Sequence, residues 1–252
     1  MVVRGDMSRD GAVSENEDRQ GDAQAPREAP VPLVGQVEWG ALRRVTPISR
    51  AFGFERGRPI DRYYIEQFLQ QHSEDVRGRA LEIGDDEYTR RFGGPQVTQS
   101  DILSLTLDNN RATIIADLSD APQIHDESFD CMIFTQTMQF IYDLRAAAVT
   151  IHRILKPGGV LLATFPFTSQ ICRYDMERWG DYWRFTTASI GRLFGDAFGA
   201  EQVEVEAFGN VLATISFLQG LAAEELRVEE LDYQDPDYQM IITARAVKRG
   251  AG

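Results

Sequence analysis

The sequence is poor in cysteine and histidine and has no long apolar run. Its two cysteines, Cys131 and Cys172, and its three histidines show none of the spacings of a zinc site or a redox motif, so we expect no bound metal. No apolar stretch approaches the roughly 20 residues of a membrane-spanning helix. Residues 1–32 lack the apolar core of a secretory signal. These absences predict a cytoplasmic protein with no membrane partner.

Basic residues are also scarce relative to acidic ones. The chain has 39 Asp and Glu against 26 Lys and Arg, which gives a formal net charge of -13. Because contact with a nucleic-acid backbone needs clustered positive charge, this balance argues against a nucleic-acid partner. The 252 residues, of which 43% are hydrophobic, are enough for one large α/β domain.

Two regions differ in composition. Residues 1–32 are polar and charged without hydrophobic periodicity, which predicts a disordered tail. Residues 33–252 alternate strand and helix patterns, which predicts one Rossmann-like α/β domain with a doubly wound, mostly parallel sheet of seven strands. We expect a helical extension before the first strand and an aromatic lid near 167–186. The predicted strands are 79–83, 96–100, 112–116, 129–135, 160–165, 202–207 and 239–247, and the predicted helices include 87–92, 141–155, 187–198 and 211–226.

The most informative segment follows the first predicted strand, where Gly84 is followed at once by Asp85, Asp86 and Glu87. A strand, a glycine turn and a helix in this order bind nucleotide cofactors in many α/β proteins. Pyrophosphate needs a helix N-terminus free of competing anions, so these three acids disfavour it. They suit S-adenosylmethionine better, because it has no phosphate and carries a sulfonium and an α-amino group.

Acids also stand at three successive predicted strand ends, where open α/β sheets bind their ligands. Glu82 ends the first strand, Asp101 follows the second and Asp117 follows the third. We expect Glu82 to face the ammonium of the cofactor, Asp101 to accept hydrogen bonds from ribose hydroxyls, and Asp117 to accept one from the adenine amino group. Each acid alone is equally consistent with a solvated loop residue or a helix cap.

Several motifs between about residues 79 and 198 occur together in one family. They are Leu81-Glu82-Ile83-Gly84, Asp101, Asp117-Leu118, Ser128-Phe129-Asp130 and His152-Arg153-Ile154-Leu155-Lys156-Pro157-Gly158-Gly159. On these motifs the chain resembles the class I S-adenosylmethionine-dependent methyltransferases of the broad type 11 group. The resemblance implies that cofactor and fold, and we expect cofactor contacts from Glu82, Gly84, Asp86, Asp101, Asp117, Leu118 and Thr135.

The glycine loop departs from the family pattern of acid, x, Gly, x, Gly, x, Gly. Asp86 replaces the second glycine and Tyr88 replaces the third. Asp86 either caps the following helix, where an acid interacts well with the helix dipole, or bonds the amino group of the cofactor. A third interpretation is that the site has decayed and no longer binds.

The predicted lid supplies candidates for the methyl acceptor. Its segment 181–186, Asp-Tyr-Trp-Arg-Phe-Thr, resembles one that recurs in relatives acting on saccharide or cell-surface pathways, and aromatic side chains suit the C–H faces of sugar rings. We therefore expect O-methylation of a small-molecule or saccharide acceptor, with Asp175 as the base. The expected substrate-binding residues are Gln136, Gln139, Tyr174, Arg184 and Tyr64, although Gln139 is equally well explained as an ordinary polar residue.

Two further hypotheses remain open. The altered glycine loop is also consistent with a noncatalytic methyltransferase-like module that scaffolds a partner enzyme of a biosynthetic pathway. A nicotinamide dehydrogenase is disfavoured by the acids where a pyrophosphate would lie. The sequence does not identify the acceptor, the methylated atom or the oligomeric state.

Overall fold

A computed structural model describes residues 30–250, so nearly all of the predicted tail 1–32 lies outside the described residues. The larger compact unit begins at Glu38. Its strands are β1 (Gly78–Ile83), β2 (Val97–Ser104), β3 (Ile114–Ile115), β4 (Phe129–Thr135), β5 (Leu155–Pro166), β6 (Val203–Phe208) and β7 (Ile241–Val247). Its α-helices are α1 (Ile60–Gln71), α2 (Leu144–Ile154), α3 (Arg173–Met176), α4 (Thr187–Phe198), α5 (Val211–Gln219) and α6 (Val228–Asp232).

The strands form one sheet in the order β3-β2-β1-β4-β5-β7-β6. All neighbours pair in parallel except β7, which runs antiparallel between β5 and β6. The chain reverses its direction of progress across the sheet between β1 and β4, which is the switch point where such folds bind ligands. The predicted class, a doubly wound and mostly parallel seven-stranded sheet, is confirmed.

Helices cover both faces of the sheet, because successive residues of a strand point to opposite sides. On β4, Met132 and Phe134 belong to the core cluster under α2 and α4. Cys131 and Ile133 belong to the cluster under α1 and α5. All four side chains are fully buried. This two-sided burial explains the nearly continuous apolar sequence of the strand.

Strand β2 differs from its prediction in a way that matters for the site. It ends at Ser104 and not at Ser100, so Asp101 lies within the strand and pairs in register with Leu81. The carboxylate is buried and bonds Arg79 Nε at 2.7 Å and the hydroxyl of Thr113 at 2.9 Å. The prediction that Asp101 follows the end of the strand is therefore wrong, because a cross-strand ion pair allows the acid to remain inside the sheet.

Other boundaries shift for local reasons. The strand β5 begins at Leu155, directly after α2, and residues 156–159 interrupt its register with β4. The helix α5 ends at Gln219 because Gly220 adopts a left-handed conformation. Within residues 30–250, none of the helices is long and apolar enough to cross a membrane.

Candidate active site

A cavity of about 540 Å³ opens at the carboxyl ends of the strands β1, β2 and β3, and we call it the strand-end cavity. It lies at the switch point of the sheet. Its walls come from those strand ends, from the segment after β4 and from the predicted lid: Ile83, Gly84, Leu103, Ser104, Leu105, Ala116, Asp117, Leu118, Ser119, Thr137, Phe140, Ile141, Tyr142, Asp143, Asp175, Trp179 and Tyr182.

Gly84 leaves the backbone at the end of β1 open to the strand-end cavity, because it has no side chain. Its φ is +82°, in the region that favours glycine, and no heavy atom of the described residues lies within 4 Å of the place that a Cβ would take. Its carbonyl accepts a hydrogen bond of 2.6 Å from Asn109 Nδ2, which fixes the turn. A ligand can therefore approach the backbone here at a position that any other residue would fill.

Asp117 and Leu118 join Gly84 among the predicted cofactor residues that line this cavity. Asp117 is exposed, and one of its carboxylate oxygens accepts bonds from the backbone and the hydroxyl of Ser119, at 2.8 and 2.7 Å. These bonds orient the carboxylate and leave its second oxygen for a ligand. A glycine cradle beside an oriented carboxylate and the apolar side chains of Ile83 and Leu105 fits an adenosine with a cationic amino-acid tail.

Glu82 does not line the cavity, although it lies one residue before its wall. Its buried carboxylate accepts hydrogen bonds from the backbone N–H groups of Thr89 at 2.7 Å and Tyr88 at 3.3 Å. It thereby caps the short π-helical turn Thr89–Gly93. Burial raises the pKa of Glu82 to about 7, against the hydrogen bonds from Thr89, which lower it. In the structure Glu82 therefore acts as a cap, and its expected contact with the ammonium of the cofactor stays a prediction.

Asp86 is likewise engaged within the protein. Its carboxylate is buried, and it pairs with Arg90 at 2.6 Å on one oxygen and with Arg111 on the other. Asp85 accepts a hydrogen bond of 2.9 Å from the backbone of Glu87. Neither Asp85 nor Asp86 belongs to the cavity wall. Asp86 therefore ties the loop after β1 to the loop after β2, and its predicted contact with the cofactor stays a prediction.

Two other predicted cofactor residues also lie outside the lining of the strand-end cavity. Asp101 is held in the sheet by Arg79, and the end of β2 presents Ser104 to the cavity instead. Thr135 ends β4, and the wall there is formed by Thr137, whose hydroxyl donates to the carbonyl of Thr135. The cofactor contacts expected of Asp101 and Thr135 stay predictions, and Ser104 and Thr137 are the residues of these strand ends that line the cavity.

A second cavity of about 360 Å³ adjoins the first, and we call it the lid cavity. Among the described residues, Phe140 and Asp175 line both cavities. The predicted acceptor residues Gln136, Gln139, Tyr174 and Arg184 line this second cavity together with Phe52, Phe54, Asp61, Arg62, Pro166, Ser169, Gln170, Cys172, Asp181, Phe217 and Ile241. The structure thus brings together five of the six residues that the sequence suggested for substrate binding and catalysis.

The sixth, Tyr64, lies elsewhere. Its side chain is buried, and its hydroxyl donates to the carbonyl of Leu231 at 2.9 Å. Ile60, Tyr64 and Phe68 recur every four residues on α1 and face the sheet. Tyr64 thus packs in the core under α1, and the substrate role predicted for it stays a prediction.

Arg184 lines the lid cavity, but its hydrogen-bonding capacity is already used. Its five N–H groups pair with both oxygens of Asp181 and with the carbonyls of Ser169, Gln170 and Trp183. The guanidinium therefore holds the lid segment together and has no spare donor for a substrate.

The segment after β4 has the opposite character. Gln136 has a φ of +47°, an unfavourable backbone conformation for a residue with a side chain. Gln139 is only 6% exposed and donates from Nε2 to the carbonyl of Gln136 at 2.8 Å. Among residues 30–250, its Oε1 atom finds no hydrogen-bond partner. Strain and an unmet acceptor on the wall of one cavity are features typical of a binding site.

Sequence reasoning missed Asp61 and Arg62, which α1 contributes to the lid cavity. Burial raises the pKa of the Asp61 carboxyl, against the charge and the backbone N–H of Arg62, which lower it. The sequence signal for Asp61 was an acid in the first turn of a helix whose buried face is otherwise apolar. Within residues 30–250, no three His, Cys, Asp or Glu side chains gather closely enough to hold a metal ion.

The sheet has the strand order of the class I methyltransferase fold, in which β7, next to the edge strand β6, is antiparallel to its neighbours. The cavity at the switch point also fits this fold. Residues 83–163 match the family Methyltransf_11, described as "Methyltransferase domain". The match covers about a third of the chain, and it falls on the segment that carries most of the motifs by which the sequence resembles the S-adenosylmethionine-dependent methyltransferases. A search of the curated proteins finds none that matches.

Solved structures share the fold at low sequence identity. An S-adenosylmethionine-dependent methyltransferase from Mesorhizobium loti is 20% identical over 75% of this chain and all of its own, with a TM-score of 0.52. A SAM-dependent methyltransferase from Archaeoglobus fulgidus is 10% identical over 74% of this chain and 94% of its own, with a TM-score of 0.50. The [4+2]-cyclase SpnF is 15% identical over 78% of this chain and 85% of its own, with a TM-score of 0.52. Because a cyclase shares it, the fold alone does not determine the reaction.

Proposed function

We propose that the protein methylates an oxygen atom of a small-molecule or saccharide-type acceptor, with S-adenosylmethionine bound in the strand-end cavity and the acceptor in the lid cavity. The observation that carries this proposal is the junction of the two cavities at Phe140 and Asp175. Two adjoining compartments suit a reaction that must hold a donor and an acceptor in line, since proximity and orientation supply several kcal/mol of the barrier.

The residues of the strand-end cavity would hold the cofactor through the open backbone at Gly84, the carboxylate of Asp117 and the apolar surface of Leu118 and Leu105. When bound, S-adenosylmethionine supplies an electrophilic methyl group on a sulfonium. Tyr142 and Trp179 add aromatic surface to the wall on the lid side.

Asp175 would act at the acceptor. It lies on the single helical turn α3 of the lid and faces both cavities. A carboxylate at this junction can take the proton that a hydroxyl loses as its oxygen becomes the nucleophile. Tyr174, in the same turn, offers an aromatic face to the ring of a substrate. This placement favours a hydroxyl acceptor, which needs a base, over one that is already deprotonated.

The alternative, a noncatalytic module, rested on Asp86 in the place of a glycine. That argument weakens because both oxygens of the carboxylate are paired with Arg90 and Arg111, outside the cavity wall. The pairing holds the Asp86 side chain outside the lining of the strand-end cavity, and the space beside Gly84 is open.

Calorimetric titration with S-adenosylmethionine tests the assignment of the first cavity with two acids that sequence alone treats alike. We expect Asp117→Ala to weaken binding at least tenfold, because a hydrogen bond to a charged group contributes about 1.5–3 kcal/mol. Asp101→Asn should leave the affinity within about twofold and instead lower the free energy of unfolding, since it breaks the bond to Arg79. The proposed site is wrong if the two variants exchange these effects, or if the unmodified protein binds no cofactor.

A further inference from the structure

We infer that Gln139 selects the methyl acceptor by accepting a hydrogen bond from it, and that the part of the acceptor entering the lid cavity carries no phosphate or carboxylate. This inference rests on the proposed function and adds to it the chemical character of the substrate. It assigns Gln139 as a specificity-determining residue.

The first argument is the unmet bonding capacity of Gln139. The side chain is more than nine-tenths buried and lines the lid cavity. Its Nε2 is bonded to the carbonyl of Gln136, and among the described residues its Oε1 has no partner. A buried acceptor left unpaired costs about 1–3 kcal/mol, which a hydroxyl or N–H donor of the substrate would recover. A substrate lacking that donor would not.

The second argument is the fixed position of this amide. The carbonyl of Gln139 accepts a hydrogen bond of 2.9 Å from the backbone of Tyr182, and the indole of Trp183 donates to Ile141 at 3.1 Å. The strained backbone of Gln136 immediately precedes this segment. These bonds hold the backbone of Gln139, and the bond to Gln136 holds its side-chain amide, before any substrate enters. A preorganised acceptor discriminates better between substrates with and without a matching donor.

The third argument is the charge of the lid cavity. Two cations line it, and both stand beside carboxylates: Arg184 pairs with Asp181, and Arg62 adjoins Asp61. Asp175 adds a further carboxylate, which gives three acids against two bases on the wall. A phosphate or carboxylate would find Arg184 already paired and Arg62 next to Asp61, and it would be repelled by Asp175, whereas an uncharged group with donors would be accepted.

The experiment compares matched ligands and variants. The probes are the methyl glycosides of glucose, mannose and galactose, the 6-phosphates of these sugars, and the corresponding uronates. Binding is measured by saturation-transfer NMR on the full chain with S-adenosylhomocysteine present, and methyl transfer is measured separately with labelled S-adenosylmethionine. Gln139→Met removes the acceptor oxygen at similar size, and Gln139→Glu keeps an acceptor at the same place. Gln219→Met is the matched control, because Gln219 also has a buried, unpartnered Oε1 among residues 30–250 but lies outside both cavities.

We expect at least one uncharged glycoside to bind tenfold or more tightly than its phosphate and uronate. Gln139→Met should weaken that binding about tenfold, with Gln139→Glu retaining most of it and Gln219→Met unchanged. The inference is overturned if the charged probes bind more tightly, or if no uncharged probe binds to a protein that binds S-adenosylhomocysteine. It is also overturned if Gln139→Met binds the uncharged glycoside with unchanged affinity. Should Gln139→Met not fold, Gln139→Leu serves in its place. Failure to bind S-adenosylhomocysteine would instead overturn the proposed function itself.

Discussion

Two segments at the carboxyl edge of the sheet place polar side chains in the interior, and they use them in opposite ways. In the loop after β1, the buried carboxylates of Glu82 and Asp86 are paired with backbone N–H groups or arginines. In the segment after β4, Gln136 is strained and Gln139 has an unmet acceptor among the described residues. The first segment stabilises the architecture, and the second has bonding capacity left for a ligand.

The comparison teaches that conspicuous charge in a sequence is a poor guide to a site when partners for that charge are close in space. Three acids after a glycine attract attention, yet Arg90 and Arg111 neutralise the buried one. The two glutamines carry no charge, and the sequence gives Gln139 an equally good explanation as an ordinary polar residue. What distinguishes the segments is whether each polar atom is satisfied, and this depends on the fold rather than on residue type.

The largest effect is expected at the open glycine of the first segment. Gly84 and Gly158 have φ angles of +82° and +79°, and neither has a described heavy atom within 4 Å of a would-be Cβ. Gly84→Val and Gly158→Val should therefore lose similar stability, roughly 2 kcal/mol. Only Gly84→Val places its side chain in the strand-end cavity, so we expect its affinity for S-adenosylmethionine to fall on the order of 100-fold. If calorimetry gives the two variants equal affinities for S-adenosylmethionine, Gly84 does not lie at the cofactor site.

An intermediate effect is expected on the pH dependence of stability, because the buried Glu82 carboxyl that caps the loop after β1 has a raised pKa. The pKa of Glu82 in the fold is about 7, above the usual 4.5, because burial disfavours its charge. The folded protein therefore holds the proton more tightly than the unfolded chain, and this contribution to stability is lost as pH rises from about 4.5 through 7. Between pH 5 and 8 the free energy of unfolding should fall by roughly 2 kcal/mol more than in Glu82→Gln. Parallel pH profiles in chemical denaturation would contradict the burial argument.

The smallest effect tests the strain of the second segment. Glycine adopts the φ of Gln136 without penalty, so Gln136→Gly should gain about 1 kcal/mol of stability while losing methyl transfer to the acceptor. Glu127 has a similar φ of +54° on an exposed turn outside both cavities, and Glu127→Gly is the control. It should gain comparable stability with unchanged transfer. Destabilisation of Gln136→Gly in thermal unfolding would show that its side chain supports the fold.

The fold was largely predictable because its signals are local. Continuous apolar runs and helix periods depend on neighbours in sequence, and the strand β4 and the helix α4 appear with the predicted bounds. The register of β2 was not predictable in this way. Asp101 stays within the strand because Arg79, on the adjacent strand, supplies its counter-charge and Thr113 donates a further hydrogen bond.

The site was predictable where it depends on position along the sheet and not where it depends on pairing. Gly84 and Asp117 follow strand ends, and both line the strand-end cavity. The structural roles of Glu82 and Asp86 depend on bonds that the tertiary structure alone creates. The burial of Tyr64 depends likewise on the tertiary structure, because the carbonyl that its hydroxyl meets belongs to Leu231 of the distant helix α6.

The narrow junction between the two cavities has a consequence for how this protein can diversify. Phe140 and Asp175 are the residues common to the two described linings, and the segment after β4 and the lid contribute further residues to each. The residues around Phe52 and Asp61 line the lid cavity alone, so they can be exchanged without altering the walls that end β1, β2 and β3. Preference for an acceptor is in that sense modular: it can be inherited, lost or redesigned while the machinery for the methyl donor is kept intact.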